Sequence, residues 1–401
     1  MKPKFYKKIL SNGMTVFLEK RDIPIVSVAF AVRNGGINEA VEEKGISHFI
    51  EHMLYKGTKT RTAKQISTEI EKNGGILNGF TGETITAYWC KMPSKHLDLA
   101  LDVLSDIVKN SLFEKKELEK ERKVIFEEIK MRKDDPITYV FDEIQSFLYE
   151  KPLGLNLIGT EKTMKSITRE KILEKFREIY TPNNMVLCVV GNADFNKLVK
   201  FAEENFGNEK GKVPRFEIKK KTEIKIQNRK GIDQANLVFA YHVPLCNDKK
   251  NYAARVLTTL MGDGLSSRLF SEIREKRNLA YAIKGESSIN KDFAYSLIYV
   301  GTTKKDVEKV KQLILKEYEK VAQNLGEKEL NEVKEQMIGN YNLSMEDSQT
   351  QMLNLLLSEI NGNAEEFYEY EKNIKKVKLK DIKNIAKNAI KNYSFFALVP
   401  E

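Results

Sequence analysis

Residues 45–54 read Gly45-Ile46-Ser47-His48-Phe49-Ile50-Glu51-His52-Met53-Leu54. The apolar residues Ile46, Phe49, Ile50, Met53 and Leu54 recur at i, i+3, i+4, i+7 and i+8, the spacing of an amphipathic helix. At about 100° per residue those five share one side. His48 and His52 lie one turn apart on the opposite side, with Glu51 beside them. Such a helix packs by its apolar face and presents two imidazoles and a carboxylate on the other. Two histidines at i, i+4 can hold one metal ion, and neutral imidazole suits zinc. A carboxylate beside a zinc-bound water can act as its base. The chain has 4 His, and two of them sit here. The alternative is a surface helix with incidental histidines, and the rest of the chain decides between them.

The chain has 401 residues, 41% hydrophobic and 31% charged, which describes a soluble globular protein of two ordinary domains or more. The formal net charge is +10, with lysine runs such as Lys219-Lys220-Lys221. However, 57 acidic residues are interleaved with 67 basic ones along the expected helices, so most of this charge is solvated face. No nucleic-acid motif is visible, and the positive excess suits anionic peptides. Cys90, Cys188 and Cys246 are scattered and odd in number. They form neither a disulfide framework nor a cysteine zinc site. Cys90 and Cys188 lie in apolar strand-like runs and read as small buried hydrophobes. The first eight residues, Met1 to Lys8, contain no apolar leader core, and no run reaches transmembrane length. A cytoplasmic protein without membrane attachment is expected.

Outward from the histidine helix, residues 4–11 and 14–20 read as two strands around the turn Ser11-Asn12-Gly13. Residues 23–32 (IPIVSVAFAV) form an apolar strand, and Gly35-Gly36 breaks it. A helix over 63–72 follows, then two strands within 76–92 around Thr81-Gly82-Glu83. A helix is expected over 96–109 and another over 115–133. The latter's inward stripe reads Leu118, Glu121, Val124, Ile125, Glu128 and Met131. Carboxylates in an apolar stripe are anomalous, because a buried acid needs a partner. A metal is one such partner. Acids at the stripe edge reaching solvent or a lysine are the alternative. Helices follow at 137–149, 168–180 and 194–206, with a buried strand at 185–190. Residues 207–221, containing Gly211 and Pro214, look like a linker.

Residues 222–401 repeat this order. The strand 235–243 (ANLVFAYHV) corresponds to 23–32, and the helix 252–261 corresponds to the histidine helix. The strand ending at Val300 and the helix 305–321 parallel the strand through Tyr88 and the helix after it. The helix 379–392 and strand 395–399 mirror 168–180 and 185–190. The repeat is about 200 residues, the size of a domain. The expected domains are 1–208 and 222–401, joined by 209–221. Each is of the α+β class, a mostly antiparallel sheet packed with helices. Aligning Gly57 with Gly262 sets His48, Glu51 and His52 opposite Ala253, Val256 and Leu257. Aligning Glu117 with Glu329 sets Glu128 opposite Asn340. The second copy lacks every candidate ligand, so one metal site per chain is expected, in the first half.

With these residues together, the chain resembles the pitrilysin/insulinase/mitochondrial-processing-peptidase family of zinc peptidases, most of all its short bacterial members with two homologous domains. The resemblance covers essentially the whole length. The family carries H-x-x-E-H, the inverzincin order, and a third ligand Glu about 75 residues on. Glu128 lies 76 residues beyond His52. The resemblance therefore implies a zinc ion held by His48, His52 and Glu128, with Glu51 as general base and Glu121 as an accessory acid. It also implies that Arg274 and Tyr281, in Ser267 to Tyr281, hold substrate over the metal; a solvated Arg and a packed Tyr are the alternative. Asn278 stands where the family usually has Gly, and Asn accepts the left-handed conformation. Asn78, Gly79 and Phe80 fall on the implied substrate strand, where a small residue such as Ala often replaces Gly79.

The implied activity is zinc-dependent endopeptidase action on unfolded peptides or small polypeptides in an enclosed chamber, by a homodimer. An extended peptide would add beside residues 77–81. Two other readings compete. A non-catalytic, peptide-binding subunit of a heteromer is one, although related chains of that kind lack the H-x-x-E-H ligands. A nucleic-acid binder, suggested by net charge alone, is the other.

Overall fold

β-Branched and aromatic runs set the sheets of this chain, and a computed structural model describes residues 3–401. The strands are β1 (Lys4–Ile9), β2 (Thr15–Lys20), β3 (Ile25–Val32), β4 (Ile76–Thr81), β5 (Thr86–Pro93), β6 (Met185–Gly191), β7 (Ile224–Arg229), β8 (Ala235–His242), β9 (Ala282–Ile289), β10 (Ala294–Thr302) and β11 (Ser394–Pro400). The helices of the first half are α1 (Ile46–Leu54), α2 (Ala63–Glu71), α3 (Leu97–Asn110), α4 (Lys115–Asp134), α5 (Pro136–Leu148), α6 (Glu161–Ser166), α7 (Arg169–Ile179) and α8 (Phe195–Asn205). Those of the second are α9 (Asn251–Gly262), α10 (Val307–Asn324), α11 (Glu327–Ser344), α12 (Ser348–Asn361), α13 (Tyr370–Lys375) and α14 (Leu379–Lys391). Among the described residues no helix is long and apolar enough to cross a membrane.

The class is α+β, with one sheet in each half. The first sheet runs β1-β2-β6-β3-β5-β4 and the second β7-β11-β8-β10-β9. Without β1 the two orders coincide strand for strand. Each has a single parallel pair, β2 with β6 and β7 with β11, and is otherwise antiparallel. The internal repeat is therefore a repeat of topology.

The chain forms two compact units, each assembled from both halves of the sequence. The first comprises Met1–Ile129, Leu155–Glu217 and Ser344–Phe367, and the second Lys130–Gly154, Ile218–Leu343 and Tyr368–Glu401. The reason is an exchange of one helix. α5, from the first half, packs on β8 and β11, while α12, from the second half, packs on β3 and β6. These buried strands carry apolar residues on both faces, so each sheet needs a helix layer on either side. In the first unit α1 and α3 cover one face and α12 covers the other.

Polar contacts fix the register of α12 on its sheet. The Ser27 and Ser348 hydroxyls lie 2.9 Å apart, and Gln351 Nε2 donates to Glu19 Oε2 at 2.7 Å. Glu359, 4% exposed, accepts from Lys7 Nζ at 2.6 Å and from Arg33 Nη2 at 2.8 Å. It also receives the Ala364 N–H at 3.1 Å. Removing this carboxylate leaves two half-buried cations facing each other. Glu359→Ala should therefore destabilise the first unit by about 3 kcal/mol, the usual loss when one partner of a buried pair is deleted. Urea unfolding followed by circular dichroism checks this; an unchanged midpoint would mean that α12 is held by its apolar face alone.

Candidate metal centre

α1 forms where the sequence places it. Ile46, Phe49, Ile50, Met53 and Leu54 are all buried in the core of the first unit. Gly45 begins the helix at φ 95°, and a Cβ there would lie 2.6 Å from the Ile158 carbonyl oxygen, so only glycine fits. The first amides of a helix have no partner within it. Here the Glu39 carboxylate accepts the N–H of Gly45 at 2.9 Å and of Ser47 at 2.7 Å. Asn34 Nδ2 donates to Ser47 Oγ at 2.9 Å. Glu39 is buried, which pushes its pKa up to about 7 against the pull of Lys44 and the two amides. Lys44, also buried, sits 3.9 Å from Glu39 and donates to Gly36 O at 2.8 Å.

α4 brings two of its acids to the histidines of α1. His48 Nε2 and His52 Nε2 are 3.2 Å apart. Glu128 Oε2 lies 3.5 Å from the first and 3.7 Å from the second. Donors about 2.0–2.2 Å from one tetrahedral ion stand roughly 3.3–3.6 Å from each other. The three atoms thus have the separations that a single zinc ion requires. Two histidines and one carboxylate are also a donor set zinc accepts with a fourth position open. Among the described residues this is the one cluster of its kind. Glu121 Oε2 lies 3.2 Å from His52 Nδ1, and Lys56 Nζ is 2.7 Å from Glu121 Oε1. An anionic Glu121 keeps the proton on Nδ1, which leaves the Nε2 lone pair for the metal. Glu51 stands beside the cluster. Burial raises its pKa, and the Thr81 hydroxyl, donating to Glu51 Oε2 at 2.6 Å, pulls the other way.

Residues 15–161 match the family model described as insulinase (peptidase family M16), and residues 166–337 match the peptidase M16 inactive domain. A Rickettsia felis protein described as an uncharacterised zinc protease is 35% identical over 350 residues, spanning 86% of this chain and 85% of its own. A Bacillus subtilis protein with the same description is 33% identical over 346 residues, 85% of this chain and 84% of its own. The chain belongs to peptidase family M16. The crystal structure of a protease from Helicobacter pylori superposes with a TM-score of 0.91 over 99% of this chain and 100% of that one. At 22% identity that likeness speaks for the M16 fold alone.

The second copy of the M16 fold keeps the frame without the ligands. Ala253, Val256 and Leu257 of α9, opposite His48, Glu51 and His52, are packed in the core of their unit. Asn340 is exposed. Arg274 and Tyr281 are both in this second unit. Arg274 Nη1 donates to the Tyr281 carbonyl at 2.9 Å, and the Tyr281 hydroxyl donates to Thr302 O at 2.7 Å. Tyr281 is 39% exposed, and what burial it has pushes its hydroxyl up to about 12. Asn278 adopts φ 54°, the left-handed conformation expected at that turn. Asn78, Gly79 and Phe80 lie on β4, which pairs with β5 on one side and is the last strand of its sheet.

One part of the expected α4 stripe is corrected. Leu118, Glu121 and Ile125 are buried, but Val124 is 49% exposed and Met131 65%. At about 100° per residue those two lie roughly 90–115° round from the buried line, on the flank. Thr81, Lys56 and Glu39 are the site residues that the sequence reading missed. A Glu nine residues before the first His and a Thr three after Asn78 were the available signals.

The raised pKa of Glu39 has a definite sign. Between about 4.5 and about 7 the folded protein keeps a proton that the unfolded chain has lost. The resulting stability is full below 4.5 and is lost as pH rises through about 7. Glu39→Gln should flatten that part of the pH–stability curve, measured as urea midpoints from pH 4 to 8 on metal-free protein. A slope unchanged by the substitution would place the titration elsewhere.

Proposed function

We propose that this chain is a zinc-dependent endopeptidase acting on unfolded peptides or small polypeptides. The observation that supports it most is the spacing of the His48, His52 and Glu128 donor atoms, each 3.2–3.7 Å from the next. The relatives named as zinc proteases agree with it. A zinc ion held by His48, His52 and Glu128 would supply Lewis acidity at the scissile carbonyl and an acidic water near neutral pH. Glu51, raised by burial and gripped by Thr81, takes the proton of that water and delivers it to the leaving amine. Glu121 holds the ring of His52 by its Nδ1 side. The edge of β4 that β5 leaves open faces an extended peptide at Asn78 to Phe80, where a docking strand replaces the bond from the Gly79 N–H to Asn78 Oδ1 at 2.8 Å, and the substrate must be unfolded to pair along it. Arg274 and Tyr281 are assigned to substrate holding, on the family pattern and on the exposure of Tyr281. A cytoplasmic homodimer is part of the same reading.

Purified protein should carry one zinc per chain by elemental analysis, and chelation should abolish cleavage of a mixed peptide library. Glu51→Gln should keep the zinc and stop hydrolysis, because an amide is no base. Zinc lost from that variant would make Glu51 a ligand and reverse the roles.

Tyr281 gives a separate test. To serve an oxyanion its hydroxyl must leave the Thr302 carbonyl. If it does so in turnover, Tyr281→Phe should lower kcat by roughly 10²–10³, the usual cost of one such donor. Zinc content should stay the same. An unaltered kcat would leave Tyr281 as a packed ring and nothing more.

A further inference from the structure

β4 touches the base as well as offering an edge. Its side chains alternate, so Leu77, Gly79 and Thr81 turn towards α1 while Asn78 and Phe80 turn away. Leu77 packs on the core, and Thr81 holds Glu51 Oε2 at 2.6 Å. Gly79, between them, has no side chain to place. A Cβ there would lie 2.4 Å from the Tyr55 hydroxyl, 3.0 Å from the Ala87 carbonyl oxygen and 3.3 Å from Glu51 Oε1. The room left by the missing Cβ is thus shared by a phenol and the catalytic carboxylate. The Tyr55 hydroxyl is buried and has no hydrogen-bond partner among the described residues. Its ring cannot swing away freely, being packed 5.9 Å from the Tyr88 ring inside the core.

We propose that the α1-facing side of β4 is the device that aims Glu51. Thr81 grips the carboxylate, and Gly79 and Tyr55 form a matched pair that sets how closely the strand approaches it. Thr81, Gly79 and Tyr55 are positioning residues, since each acts through Glu51. The inference rests on the peptidase reading. A peptide paired to the open edge of β4 steadies the same strand that holds the base, so docking and base orientation are linked. Binding energy gained along the edge is then expressed in kcat, because it fixes a group that works in the transition state. The pairing also accounts for glycine at 79: a Cβ there collides with the Tyr55 hydroxyl, and a phenylalanine at 55 removes that worst contact, leaving the tighter fit to the Ala87 carbonyl at 3.0 Å.

The test uses Thr81→Val, Thr81→Ser, Gly79→Ala and the double variant Tyr55→Phe/Gly79→Ala in the full chain. Kinetics are measured on a peptide that the wild type cleaves, with zinc content alongside. Melting temperatures are taken on the metal-free proteins. Thr81→Val keeps the shape and loses the hydroxyl, so kcat should fall by about tenfold or more with KM and zinc unchanged. Thr81→Ser should restore most of that loss. Gly79→Ala should lower both kcat and the metal-free melting temperature, and adding Tyr55→Phe should recover at least half of each. If Gly79 served only the substrate, removing a hydroxyl behind it would rescue nothing. A Thr81→Val enzyme with wild-type kcat, or a double variant no better than Gly79→Ala, overturns the proposal. A wild type that binds zinc and cleaves no peptide overturns the peptidase reading instead, and the melting temperatures then still decide whether Tyr55 and Gly79 are a pair.

Discussion

Three donor atoms from two helices converge on one point, close enough together to share one cation. Two imidazole nitrogens 3.2 Å apart each direct a lone pair or a proton at the other. Glu128 adds an anionic oxygen within 3.7 Å of both. Such groups stay in place because the scaffold over-determines them. α1 is fixed by five buried apolar residues and by the Glu39 carboxylate at its first amides. α4 is fixed by Leu118 and Ile125 on the same core. A cation bound there would satisfy all three donors at once, which is how a preorganised site gains affinity without reshaping itself.

Second contacts then separate the roles of four acids in one small region. Glu128 faces the histidine Nε2 atoms and is available to a metal. Glu121 is seven residues earlier, two helical turns back, and meets the Nδ1 side of His52 and Lys56. Glu51 neighbours His52 in sequence but turns to β4, where Thr81 takes one of its oxygens. Glu39 serves the helix terminus. The same carboxylate chemistry meets imidazole nitrogens, a lysine, a threonine hydroxyl or helix amides according to what lies opposite, and the proposed roles follow from those partners.

Much of this was legible in the sequence, and the reason is periodicity. His48, Glu51 and His52 can be placed on one helix face from spacing alone, and the duplicated order of elements shows in the runs around Val32 and Val243. Contacts between residues distant in sequence have no such period. Nothing in Thr81 states that its hydroxyl meets Glu51, thirty residues away. Nothing in Gly79 states that a tyrosine hydroxyl lies where its Cβ would be. Val124 and Met131 failed for a different reason, since a helix lying on a surface buries a narrower stripe than its apolar residues suggest. The exchange of α5 and α12 between units was equally hidden. An amphipathic helix declares which face it buries, but not which sheet receives it.

The second copy of the fold shows what the candidate metal centre does not do. β7-β11-β8-β10-β9 forms in the same order as its counterpart, with α9 in the place of α1, although Ala253, Val256 and Leu257 stand where the ligands and base would be. Those three pack in a dry core and need no partner. The architecture therefore does not depend on metal ligation, and its stability comes from the two apolar layers around each sheet. Candidate ligands can be carried by a fold that is already stable, and the polar groups around them and Glu51, namely Glu39, Glu121, Lys56 and Thr81, all belong to the copy that has the cluster. What distinguishes the two halves is then local: a handful of side chains on α1, α4 and β4, placed on a frame that both halves share.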